Sequence, residues 1–153
     1  MSPPQRLCTL AEWSIQHIRD IFEAKDDAHA MGSIEATFAP HMSGSINGTP
    51  LTRPLLTKLV LALRQSSPHG LKVQWTEAVG ISEDPSTNRN GLLGGSYVIR
   101  GIQKTPPGSA RPAAYERHKS VQVRIESQKK DTRVDSRRIV SLSFVASDIC
   151  VAQ

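Results

Sequence analysis

Apolar residues in the first seventy positions recur at helical spacing, and from there on they alternate. Ala11, Ile15, Ile18 and Phe22 fall on one stripe, widened by Ile21, which predicts a first helix over about residues 10–24. Thr9-Leu10-Ala11-Glu12 reads as a capping box: the Thr9 hydroxyl accepts from the Glu12 N–H, and Glu12 reaches back to Thr9. Asp26 and Asp27 supply the next N-cap, and Met31, Ile34 and Phe38 form the stripe of a short second helix that ends before Pro40. Ser45-Ile46-Asn47-Gly48-Thr49 reads as a short strand entering a turn, because Asn-Gly accepts positive φ. Thr52 caps a third helix with Pro54 in its first turn and Leu56, Leu59, Val60 and Leu63 buried.

Beyond Gly70 the period is two. Leu71, Val73, Trp75, Val79 and Ile81 predict a half-buried strand with Glu77 on the same face. Residues 91–103 form a second strand, whose early glycines predict a bulge or a close backbone approach. Residues 113–126 form a third, with Val121, Val123 and Ile125 on one face; residues 138–149 form a fourth, with Val140, Leu142, Phe144 and Ala146 on one face. Helices first and strands afterwards argue for an α+β domain with an antiparallel sheet whose apolar face the helices cover. The expected division is a tail over 1–8 and one domain over 9–153.

Composition narrows the classes. A chain of 153 residues with 38% hydrophobic and 22% charged residues can bury its own core. The net charge of +5 is spread along the chain without a nucleic-acid motif, so nucleic acid is not an expected partner. The densest basic cluster, Lys129, Lys130, Arg133, Arg137 and Arg138, reads as a solvated hairpin tip. No apolar run matches a membrane span, and Met1 to Leu7 is no secretory signal, so the cytoplasm is expected and a membrane is not. Cys8 and Cys150 are read as free thiols. No Cys/His cluster has zinc spacing, and Gly94-Gly95 lacks the strand-to-helix setting of a phosphate loop, so neither a metal nor a cofactor is expected.

The long first helix ending in Phe22, the second closing on Phe38-Ala39-Pro40, the turn at Asn47-Gly48 and the strands beginning Val73-Gln74-Trp75 together resemble the nuclear-transport-factor-two-like superfamily, also called SnoaL-like or the cystatin-like cone. The resemblance covers roughly residues 9–150 and is architectural. It implies a cone-shaped α+β barrel, with N-terminal helices in the concave face of a curved sheet and a pocket between them. Members include isomerases, cyclases, dehydratases and epoxide hydrolases that act on small hydrophobic molecules, together with non-catalytic binders, and many are homodimers through the sheet.

Two residues are candidate proton shuttles. Glu77 shares parity with Val73 and Trp75, so its carboxylate would be desolvated and its pKa raised, unless it pairs with an arginine or meets water at the strand end. His118 would enter the pocket only if its strand bulged; otherwise it is exposed. Tyr115 and Arg117 share the parity of Val121 and would face the cone mouth, with Arg117 opposite Glu77. Phe22, Phe38, Trp75, Tyr97 and Phe144 are the candidate aromatic lining, or simply core. Asp148 reaches the interior or ends its strand; His41 and His29 are read as surface, and Asp27 as a helix cap. Two functions stand: a cofactor-independent lyase or isomerase working on a hydrophobic small molecule, and a non-catalytic domain that binds a small molecule or protein and dimerises through its sheet.

Overall fold

Three capped helices open the chain. In the computed structural model, which describes residues 5–151, α1 spans Leu10–Phe22, and the Thr9 hydroxyl accepts from the Glu12 N–H at 3.1 Å. Glu12 answers through its carboxylate, which accepts from the Thr9 hydroxyl rather than from the Thr9 backbone. The helix α2 spans Asp27–Thr37 behind an Asp26 cap, and α3 spans Arg53–Gln65 behind a Thr52 cap. Residues 1–4 and 152–153, the outer part of the expected tail and the end of the expected domain, lie outside the described residues.

The strands are β1 (Phe38–Ile46), β2 (Thr49–Leu51), β3 (Lys72–Ser82), β4 (Gly91–Lys104), β5 (Ala113–Ser127) and β6 (Arg137–Cys150). They form one sheet in the order β2-β1-β6-β5-β4-β3. Asn47 and Gly48, with φ of 49° and 82°, make the predicted turn between β1 and β2. The expectation of a purely antiparallel sheet is corrected in one place: β1 lies parallel to β6. The 38–40 segment therefore opens a strand rather than closing a helix, and Pro40, which lacks an N–H, sits in the irregular stretch between Phe38 and Ser43.

The core lies between the helices and the concave sheet face. Trp13, Ile18, Ile21 and Phe22 of α1, Ile34 of α2, and Leu56, Val60 and Leu63 of α3 pack on Leu93, Tyr97, Ile99, Val121, Val123, Leu142 and Phe144 of the strands. Several positions depart from the predicted stripes, among them Leu59 of α3, which is 37% exposed while Leu56, Val60 and Leu63 are buried. Met31 is 47% exposed, because α2 buries Ala30, Ile34 and Thr37 instead. A bulge between Ile139 and Ser141 turns Ile139 inward in place of Val140. A second bulge, between Trp75 and Glu77, reverses the face of the rest of β3. Val79 and Ile81 then stand 62% and 67% exposed on the convex side.

Of the early glycines of β4, Gly91 and Gly95 mark close approach. A Cβ at Gly91 would lie 2.2 Å from the Ile81 carbonyl oxygen and 2.5 Å from a Leu10 methyl. Gly91→Ala is expected to cost about 2 kcal/mol by overpacking the contact of α1 with the sheet, read as a lower midpoint in denaturant unfolding with an unchanged slope.

Candidate functional site

The alternation of β5 puts Arg117, Lys119, Val121 and Val123 on the concave side, and β6 adds Leu142, Phe144, Ala146 and Asp148. With α1 and α3 laid across them, these residues border two adjoining spaces. The inner cavity is narrow, about 30 Å³, and is lined almost entirely by apolar groups that include Phe22, Phe38, Trp75, Tyr97 and Phe144. A space of that size holds one or a few water-sized groups. The outer recess, about 460 Å³, is lined by Ile46, Leu59, Leu63 and Ala146 and by the charged groups of Lys104, Arg117 and Asp148. Phe22, Leu56, Val60, Lys119 and Phe144 border both spaces, which places Lys119 at their junction.

Lys119 is 8% exposed. Its ammonium lies 4.4 Å from the ring centroid of Phe144, 5.0 Å from that of Phe22 and 5.6 Å from that of Tyr97. Aromatic faces attract the cation but accept no ordinary hydrogen bond. Among the described residues no hydrogen bond or ion pair engages this group. Burial pulls its pKa down to about 7, and the Arg117 charge adds to that, partly countered by Asp148.

Asp148 is already engaged. Arg117 donates to both of its oxygens at 2.6 and 3.0 Å, and Lys104 donates at 2.7 Å. The Arg117 hydrogen bonds, followed by that of Lys104, hold its carboxyl down at about 2 against desolvation. The mouth of the pocket thus carries one negative and three basic side chains. Deeper in, Ser14 and Trp75 are among the residues that line the inner cavity, and Ser14 Oγ and Trp75 Nε1 are buried without a hydrogen-bond partner among the described residues. Orphaned polar groups of this kind mark places where water or a ligand supplies the missing bond. Burial also pushes the Tyr97 phenol up, which keeps it a donor.

The predicted site residues divide into two groups. Phe22, Phe38, Trp75, Tyr97 and Phe144 converge on the inner cavity, and Arg117 borders the outer recess. Tyr115 packs at the edge of the core beneath the Lys104 ammonium and borders neither space. Glu77 is exposed on the convex face, because the bulge at Thr76 cancels the parity that would have turned it inward. His118 is also outside, paired with Glu116 at 2.9 Å, because β5 carries no bulge at that point. The expected Glu77–Arg117 pair is replaced by Arg117–Asp148. Lys119 was missed, although the signal was present: it shares the parity of Tyr115, Arg117 and Val121, and a lysine between inward-facing residues is as anomalous as a glutamate. Among the described residues no group of three or more His, Cys, Asp or Glu side chains could hold a metal ion. No helix there is long and apolar enough to cross a membrane.

No family profile matches the sequence. No curated protein matches it either. Solved structures do match the fold. A cystatin-like protein from Caulobacter vibrioides superposes with a TM-score of 0.58 at 11% identity, over 90% of this chain and 87% of that one. Mtr2 in its complex with the Mex67 M domain, from Candida albicans, gives 0.57 at 12% identity, over 90% and 94%. A SnoaL-like protein from Agrobacterium tumefaciens, named for a proposed isomerase activity, gives 0.50 at 9% identity, over 90% and 97%. The chain has the cystatin-like cone fold that the nuclear-transport-factor-two-like and SnoaL-like proteins share. At these identities the likeness is one of fold, and function has to be argued from the site.

Proposed function

We propose that the chain is a small cofactor-independent enzyme, a lyase or isomerase, that holds a hydrophobic small molecule in the cone pocket and moves a proton with Lys119. The observation that carries this reading is an amine without a partner at the junction of an apolar cavity and an open recess. An amine that titrates near 7 is populated in both protonation states at neutral pH, as general acid–base work requires. Ser14 and Trp75 supply free donors to a ligand oxygen. The exposed thiols of Cys8 and Cys150 suit a reducing compartment, the cytoplasm.

The test is a turnover screen over hydrophobic enones and β-hydroxy carbonyl compounds. The wild-type rate is expected to show a limb near pH 7, Glu77→Gln to leave it unchanged, and Lys119→Met to lower kcat by about 100-fold or more. A hit whose rate survives Lys119→Met would remove Lys119 from the mechanism.

One observation favours the non-catalytic reading. Val79, Ile81 and Leu92 stand exposed together on the convex sheet face, with Ile81 directly across from Leu92. Such a patch suits a second copy of the chain or another protein. Sedimentation that shows a monomer at high concentration would sink the homodimer.

A further inference from the structure

The cone pocket reading says where an apolar molecule sits. The surroundings of Lys119 say more about what its amine can do there. Three aromatic rings pack around the ammonium, and no acceptor fixes it. Asp148, the carboxylate whose charge acts on Lys119, is held by Arg117 and Lys104 and is not free to pair with it. Arg117, on the same face of β5, adds a like charge that disfavours protonation. A lysine in an apolar box beside a second cation is the setting in which an amine becomes a nucleophile. Ser14 and Trp75 line the inner cavity, their Oγ and Nε1 lack acceptors, and a carbonyl oxygen is an acceptor.

We propose that Lys119 is a covalent site for apolar aldehydes and ketones, which it captures as an imine at the junction of the two spaces. The inference rests on the reading of the cone as a small-molecule pocket. In the step, the Lys119 nitrogen lone pair attacks the carbonyl carbon and forms the C–N bond. The π pair moves to oxygen, which takes a proton from the nitrogen and leaves a neutral carbinolamine. A proton from solvent then accompanies departure of that oxygen as water, and the nitrogen lone pair closes the C=N bond of an iminium. No oxidant or reductant is consumed.

The experiment uses the full chain with benzaldehyde and cyanoborohydride at pH 7, which fixes any iminium as a benzyl amine, followed by peptide mapping. An amine that titrates near 7 offers roughly a thousandfold more free base at that pH than a surface lysine, a gain partly offset by its weaker basicity. Lys119 is therefore expected to be benzylated roughly tenfold faster, or more, than any surface lysine. Lys119→Met should lose that fast phase alone. Because the comparison is among lysines of one chain, it stands even if the variant fails to fold. In parallel, benzyl alcohol, which has no carbonyl, is titrated by NMR against the signals of Phe22, Trp75 and Phe144. Uniform slow labelling with benzyl alcohol bound would overturn the imine and leave the pocket reading standing. Uniform labelling with no binding would overturn both.

Discussion

Lys119→Met should make the protein more stable at pH 7, by about 2–4 kcal/mol, while removing its proposed chemistry. The native group titrates near 7, whereas a lysine in the unfolded chain titrates at about 10.4. Between those values the unfolded chain holds a proton that the folded chain has released. Stability of the wild type therefore rises with pH across this window, and the full difference amounts to about 4 kcal/mol. Below pH 7 both states carry the proton and the native state bears the whole cost of burying it among Phe22, Tyr97 and Phe144. Methionine has a similar length and no charge, so the variant should be more stable at pH 7 and should lack the slope between about pH 7 and 10. Denaturant unfolding at pH 7, 8.5 and 10 reads both effects. A variant that is less stable than wild type at pH 7, with the slope retained, would show that the amine is solvated and that the aromatic box is no constraint on it. A residue that costs stability where a methionine would contribute it is held for some use other than folding.

The fold was largely legible in the sequence because its determinants are local and periodic. The caps at Thr9, Asp26 and Thr52, the Asn47-Gly48 turn and the alternation of β5 each act within a few residues, and each forms. The parallel pairing of β1 with β6 was not legible, since a strand of nine residues ending in a hairpin gives no sign of which distant edge it joins. The site was half legible. Aromatic residues announce themselves by parity, and five of them meet where expected. Glu77 falls outside the site because of the bulge at Thr76, which shifts every later residue of β3 by one. Nothing in Trp75-Thr76-Glu77 signals that insertion, because it is set by pairing to β4, where Gly95 lets the backbone of Glu77 approach. Parity arguments weaken with distance along a strand for this reason, and β5, which keeps its register from Arg117 to Arg124, is where they were safest.

The same limit of local reading explains Arg137, whose replacement by alanine is expected to cost about 3–5 kcal/mol, the largest loss of any substitution considered for this chain. In the sequence it is one cation among several in a charged hairpin tip. In the structure it is 1% exposed. It donates to both oxygens of Asp135 at 3.0 and 2.8 Å, to the Cys8 carbonyl at 2.7 Å and to the Asn88 carbonyl at 3.1 Å, with the Trp13 ring 5.6 Å away. The guanidinium thus ties three distant segments together: the approach to α1, the loop before β4 and the start of β6. Alanine would leave two carbonyls without their donor and the Asp135 carboxylate without its fork. Arg137→Lys should recover only a minor part, because one ammonium cannot reproduce the planar, divergent set of donors. The N-terminal segment should respond first. Leu7 donates to the Thr87 carbonyl and accepts from the Asn88 side chain, both at 3.0 Å, and Asn88 is held by Arg137. Hydrogen exchange should therefore show the Leu7 amide losing protection in Arg137→Ala by more than the global stability change accounts for, while the amides of β3 follow the global value. Equal losses at both places would mean that Arg137 stabilises the fold as a whole and does not pin the N-terminal segment in particular.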